Sequence, residues 1–160
     1  DLYNHLGQSY YQAGEYGESE RWHRISLQAR ERMFPPGDMN ISTANYGLAK
    51  AYIRMKRFAD ARKHIEICDR NEEMCESRSY LGWVLVVEIW AEYYQASGDC
   101  EKAVKCYSDL VASYDGSSMG TSAAYFDVYT KISRCYEETG DAENAGKYRK
   151  VAEKYVRQVN

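Results

Sequence analysis

A spacing of 42 residues recurs through the chain and limits what it can fold into. Leu6, Leu48, Trp90 and Ile132 stand 42 residues apart. So do Tyr10, Tyr52, Tyr94 and Tyr136, and the small residues Ser19, Ala61, Ala103 and Ala145. A bulky apolar residue, a tyrosine and a small residue, held in phase four times, mean one unit stacked on copies of itself.

The unit is clearest in Leu48-Ala49-Lys50-Ala51-Tyr52, followed by Phe58-Ala59-Asp60-Ala61, Ile65 and Cys68. The spacing gives a helix, a tight turn and a second helix packed back on the first. Ala49 and Ala61 let the two helices cross closely, and Leu48, Tyr52, Phe58 and Ile65 fill the space around them. Three of the turns carry glycine then an acid: Gly14-Glu15, Gly98-Asp99 and Gly140-Asp141. Glycine suits the left-handed residue that follows a helix. The second turn has Lys56-Arg57 instead, at some cost in turn preference. The expected fold is all-α, an α-solenoid of four stacked helical hairpins. Its repeats run over about 1–36, 37–75, 76–118 and 119–160, in a single domain.

Tyr3-x-x-Leu6-Gly7-x-x-Tyr10, with Gly14 and Tyr16 after it, resembles the start of a tetratricopeptide repeat. Gly98, Ala103 and Tyr107, then Gly140 and Ala145, repeat the turn and second helix of that pattern. The usual period is about 34 residues. The longer period is similar to the repeats of kinesin light chains and related regulatory proteins, and Pro35-Pro36-Gly37-Asp38-Met39-Asn40 resembles their link between repeats. The resemblance implies a superhelical array that binds proteins, and leaves function to the site.

Along the chain, the first helix is already under way at Asp1, so the sequence reads as a piece of a longer protein. The second helix runs from about Tyr16 to Met33, and Pro35-Pro36 ends it. The next is expected to open after Asn40 or Ser42, both good N-caps, and to reach about Met55. Its partner runs from Phe58 to about Arg70. Asn71 to Ser77 is polar, a connector or the start of the next helix. The first helix of the third repeat holds Tyr80, Leu81, Trp83, Val84, Leu85, Val87, Ile89 and Trp90. Such an all-round apolar helix is usually buried; the alternative is a partner-binding face near Trp83. Cys100 to Tyr114 follows, then a flexible-looking linker, Asp115 to Thr121. Ser122 to Thr139 and Ala142 to about Val159 form the last hairpin. No polar helix covers it, so this end also reads as cut or covered.

The chain has 21 basic and 24 acidic residues, a net charge of −3, without the basic stripe of a nucleic-acid binder. Its longest apolar run, Val84 to Val87, is too short to span a membrane. Five cysteines, Cys68, Cys75, Cys100, Cys106 and Cys135, include no C-x-x-C pair, and His5, His23 and His64 add no metal-ligand spacing. They read as reduced structural thiols of a cytoplasmic protein. No metal, cofactor or catalytic motif is expected, and the chain is read as a non-enzyme.

In tetratricopeptide arrays the first helices line a concave wall, with two positions one turn apart facing inward. Carried over by spacing, these are Asn4 and Gln8, Tyr46 and Lys50, Glu88 and Glu92, Thr130 and Arg134, with Arg54 and Lys131 nearby. The expected function is protein–protein interaction, with a peptide or partner protein in this groove. Basic Lys50 and Arg54, acidic Glu88 and Glu92, and basic Lys131 and Arg134 alternate along it. The Lys–Asn clamp of the family's chaperone-tail binders is missing, since Asn4, Gln8 and Gly47 stand at its positions. Of the paired asparagines that hold a peptide backbone in the kinesin-light-chain type, only Asn4 is kept; Tyr46-Gly47 and Glu88-Ile89 depart from it. One alternative is a ligand-sensing regulatory lobe of a longer protein, attached to a catalytic or nucleotide-binding domain. Another is an enzyme in its own right, which would need a convergent polar pocket with shifted pKa values.

Overall fold

The computed structural model describes residues 2–74, 80–115 and 120–156. Eight helices are present among them: α1 (Leu2–Gln12), α2 (Tyr16–Met33), α3 (Met39–Arg54), α4 (Phe58–Met74), α5 (Tyr80–Ser97), α6 (Cys100–Tyr114), α7 (Ser122–Glu138) and α8 (Ala142–Val156). The chain is all-α, a helical-repeat fold of hairpins. It divides into two compact units, one up to Ile89 and one from Trp90, with the boundary inside α5.

All four hairpins turn in the same way. Gly14, Gly98 and Gly140 have φ of 82°, 89° and 80°, and Lys56 takes the same left-handed conformation at 58°. The N–H of the next residue then reaches back to a tyrosine carbonyl. Glu15 bonds Tyr10 at 2.9 Å, Arg57 bonds Tyr52 at 2.9 Å, Asp99 bonds Tyr94 at 2.8 Å and Asp141 bonds Tyr136 at 2.9 Å. These bonds satisfy carbonyls that a helix end leaves open. After the turn, Asp99 caps α6 by accepting from the N–H of Lys102, and Asp141 accepts from that of Asn144.

The small residues sit where the helices come closest. Gly7, Ala49, Ala91 and Ser133 share one register on the first helices, and all are buried. Ser19, Ala61, Ala103 and Ala145 do the same on the second helices. In the last hairpin the Ser133 hydroxyl donates to the Ala145 carbonyl at 2.8 Å across the crossing. Leu48, Tyr52 and Ile65 are buried around the second crossing, and Tyr107, Leu110 and Ile132 are buried in the second unit. Each such side chain contributes about 1.5–3 kcal/mol on burial.

The connectors differ from the sequence reading. Asp38, not Asn40 or Ser42, caps α3, accepting from the Asn40 N–H at 2.8 Å. Gly37 at φ 89° ends the proline turn one residue earlier, so the helix starts there. Ser42 is instead buried, and its hydroxyl accepts from Asn71 at 2.9 Å. Helix α4 runs on to Met74, so residues 71–74 are helix, with Asn71 and Glu72 facing inward. The rest of that segment, most of the 115–121 linker, Cys75, and the side chains of Tyr80 and Leu81 lie outside the described residues. In α5, Val84, Val86, Ile89 and Ala91 are buried, whereas Trp83 is 36% exposed.

Two stability measurements check this packing. Ala61→Trp or Ala103→Trp should overfill a crossing and cost about 1–3 kcal/mol; an unchanged denaturation midpoint in both would refute the register. Lys56→Gly should relieve the left-handed lysine and raise stability by about 0.5–1 kcal/mol, where a loss would show that the turn is not strained.

Candidate functional site

The exposed face of α3 carries an ordered row of polar side chains. Lys50 lies one helical turn after Tyr46, and its ammonium sits 5.0 Å from the ring centre of Tyr11 and 5.5 Å from that of Tyr46. Arg54, a further turn on, stacks over Tyr16 at 5.3 Å, and its Nε donates to the Tyr16 hydroxyl at 3.1 Å. The Tyr46 hydroxyl donates to Glu88 at 3.4 Å. Tyr46, Lys50 and Glu88 are therefore brought together, with Arg54 braced beside them. Gln8 is exposed on α1. Asn4 is half-buried, and its Oδ1 is enclosed without a hydrogen-bond partner among the described residues.

Beneath this face lies His23, 2% exposed. Its ring is held between α1 and α3 at two glycines. A Cβ on Gly7 would come within 2.7 Å of the imidazole, and one on Gly47 closer still. His23 stands in register with Ile65 and Tyr107, both buried, so it fills the core position of its repeat. Burial first, then the nearby charges of Arg30 and Lys50, push its pKa down to about 4. Burial also holds His64 below the ordinary range. Its Nδ1 lies 2.7 Å from Asn45 Oδ1 and its ring stacks on Tyr52.

In the second unit the expected residues separate. Glu92 is half-buried on α5. The Thr130 hydroxyl donates to the Phe126 carbonyl of its own helix at 2.7 Å. Lys131 is paired with Asp127 at 2.9 Å and lies 5.8 Å over the Tyr107 ring of α6. Thr130 and the exposed Arg134 line a cleft of about 340 Å³ together with Phe126, Glu137, Arg149 and Glu153. Among the described residues no three His, Cys, Asp or Glu side chains converge as a metal site, and no helix is long and apolar enough to cross a membrane.

Spacing located α3 but missed Tyr11, Tyr16 and His23. The signal for His23 was available, because position 23 is in phase with Ile65 and Tyr107. Tyr11 and Tyr16 are in phase with Ile53 and Phe58, which gives no hint of a cation above them.

The tetratricopeptide repeat family model matches residues 1–66. Residues 1–66 therefore carry tetratricopeptide repeats. Its fold is similar over 99% of the chain to the crystal structure of BtubC (BKLC) from P. vanneervenii, with a TM-score of 0.81 and 14% sequence identity. The chain spans 63% of that protein's length. No curated protein matches it.

His23 gives the site a pH signature. Its folded pKa lies below the unfolded value of about 6.5, so only the unfolded chain takes up the proton between pH 6.5 and 4. Stability is complete above about pH 6.5 and falls as pH drops toward 4, by on the order of 3 kcal/mol. His23→Leu should flatten most of that slope in denaturant melts, leaving a smaller part from His64. An equal slope in the variant would show that His23 is not the group involved.

Proposed function

We propose that the chain is a non-catalytic interaction module of a cytoplasmic protein. It binds an extended peptide or a partner protein along the exposed faces of its first helices. The observation that supports this reading is the fixed cation pair on α3: Lys50 held by Tyr11 and Tyr46, and Arg54 braced by Tyr16. Each cation–ring contact is worth about 0.5–1 kcal/mol at an exposed site. More usefully, it removes rotamer freedom that binding would otherwise cost. Two ordered cations one turn apart suit carboxylates on a partner, and Glu88 suits a basic residue next to them. The general use of tetratricopeptide repeats as protein-interaction modules supports the class of ligand.

The test uses a partner isolated with the full-length protein and then purified. Lys50→Glu combined with Arg54→Glu should weaken binding by about tenfold or more, with the larger loss at low salt. Glu88→Lys should weaken it as well. Reversing Glu66 and Glu101, which are exposed on the second helices α4 and α6, should leave affinity within about twofold. Helical circular dichroism should be unchanged throughout. Equal losses from both sets would move the binding surface to the second helices.

A further inference from the structure

A ladder of tyrosine rings runs between the two helices of the last hairpin. Tyr136 of α7 stacks on Tyr148 of α8, with ring centres 5.5 Å apart and planes 9° from parallel. Tyr148 faces Tyr129 at 6.2 Å, Tyr129 faces Tyr155 at 5.8 Å, and Tyr155 faces Tyr125 at 4.8 Å. These separations are those of aromatic rings in contact. All of these tyrosines are half-buried. The ladder leads from the hairpin turn to the first turn of α7, and its two ends differ in charge. The Lys147 ammonium sits 5.5 Å from the ring centre of Tyr148. At the far end the Tyr125 hydroxyl donates to Asp115 Oδ1 at 2.7 Å. Helical stacking alone does not require rings here. The positions in phase with Tyr129 include Asn45 and Val87, and those in phase with Tyr148 include His64 and Cys106.

We propose that this ladder carries an oxidising equivalent from Tyr136 to Tyr125 and holds it there as a tyrosyl radical. The substrate is a one-electron oxidant in solution, an oxygen-centred radical such as carbonate radical. It takes one electron from Tyr136 or Tyr148, whose rings are partly open to solvent, and becomes its anion. An electron from the next ring fills the vacancy, and the step repeats along the stack. Electron transfer weakens steeply with the gap between donor and acceptor, so rings in contact give the shortest steps available. Charge sets the direction. A hole on Tyr148 is disfavoured by the ammonium above its ring, and a hole on Tyr125 is favoured by the carboxylate at its hydroxyl. At Tyr125 the phenolic proton moves to Asp115. The phenol has then lost one electron and one proton, the carboxylate has become a carboxylic acid, and the oxidant has gained the electron. Before oxidation the hydrogen bond to Asp115 holds the Tyr125 hydroxyl up at about 12, so the proton stays on the phenol until the ring is oxidised. Among the described residues no carboxylate accepts from the hydroxyl of Tyr136 or Tyr148, so a hole there has no such partner to take its proton.

The test places the oxidant at one end and reads the radical at the other. A ruthenium polypyridyl photo-oxidant is attached to the full chain through Thr139→Cys, at the exposed end of α7 beside Tyr136, with Cys75 and Cys106 changed to Ser. After a flash with persulfate as electron acceptor, the radical is frozen for electron paramagnetic resonance, or captured with a nitroso spin trap and mapped by peptide mass spectrometry. The expected result is a tyrosyl signal with the trapped adduct on Tyr125. Tyr148→Phe keeps a ring in the stack but removes an oxidisable one, so it should hold the adduct at Tyr136 and abolish that on Tyr125. Asp115→Asn should remove most of the Tyr125 adduct and spread the rest over Tyr129 and Tyr155. Tyr94→Phe, in phase with Tyr136 but outside the ladder, should change nothing. Adducts confined to Tyr136 in the parent would overturn the proposal, as would a full Tyr125 adduct in Tyr148→Phe. The parent measurement needs no change within the ladder, so a packing defect in Tyr148→Phe would not obscure the result.

Discussion

Each hairpin of this protein depends on one backbone hydrogen bond, from the residue after a left-handed turn to the carbonyl of the in-phase tyrosine. The bond fixes how soon the chain reverses. It therefore fixes which residue of the second helix meets which residue of the first. Once Ser19, Ala61, Ala103 and Ala145 are delivered to the crossing, only a small side chain fits, and the larger residues at neighbouring phases become the core. The exposed faces of the first helices follow from the same geometry, since what is not used at the crossing or the next hairpin is left to solvent. The tyrosines thus act at two levels, as the carbonyl acceptors that set the register and as rings packed beside it.

The hairpins were legible because a period repeated four times reports packing and local structure together. The connectors were less legible, for reasons visible in individual residues. Asp38, Asn40 and Ser42 can all cap a helix, and local sequence does not rank them. The left-handed Gly37 decides in favour of Asp38 by ending the turn just before it. Asn71 and Glu72 are polar and read as a connector or as the start of the next helix. They are buried, with Asn71 bonded to Ser42 from a helix 29 residues earlier. A side chain whose partner is that far away in sequence carries no local mark of being inside.

The proposed binding face could be read from sequence as positions but not as an arrangement. Phase placed Tyr46, Lys50, Arg54 and Glu88 on the first helices. It could not place the rings of Tyr11 and Tyr16 against the two cations, because those contacts join α3 to the end of α1 and the start of α2. It also placed Lys131 near the groove, whereas Lys131 is turned toward Asp127 and the Tyr107 ring. Long cationic side chains choose among several neighbours, and the choice belongs to tertiary packing.

The imidazole wedged between Gly7 and Gly47 makes three distant positions answer to one another. A smaller residue at 23 would open a void against both helices, and a side chain at either glycine would have nowhere to go while the ring remains. Substitutions there can be accepted only in matched sets. Repeat proteins are often treated as strings of exchangeable parts, but this first hairpin is fitted to its successor. Moved in front of another repeat, it would bring a histidine shaped for a glycine that the new neighbour does not have.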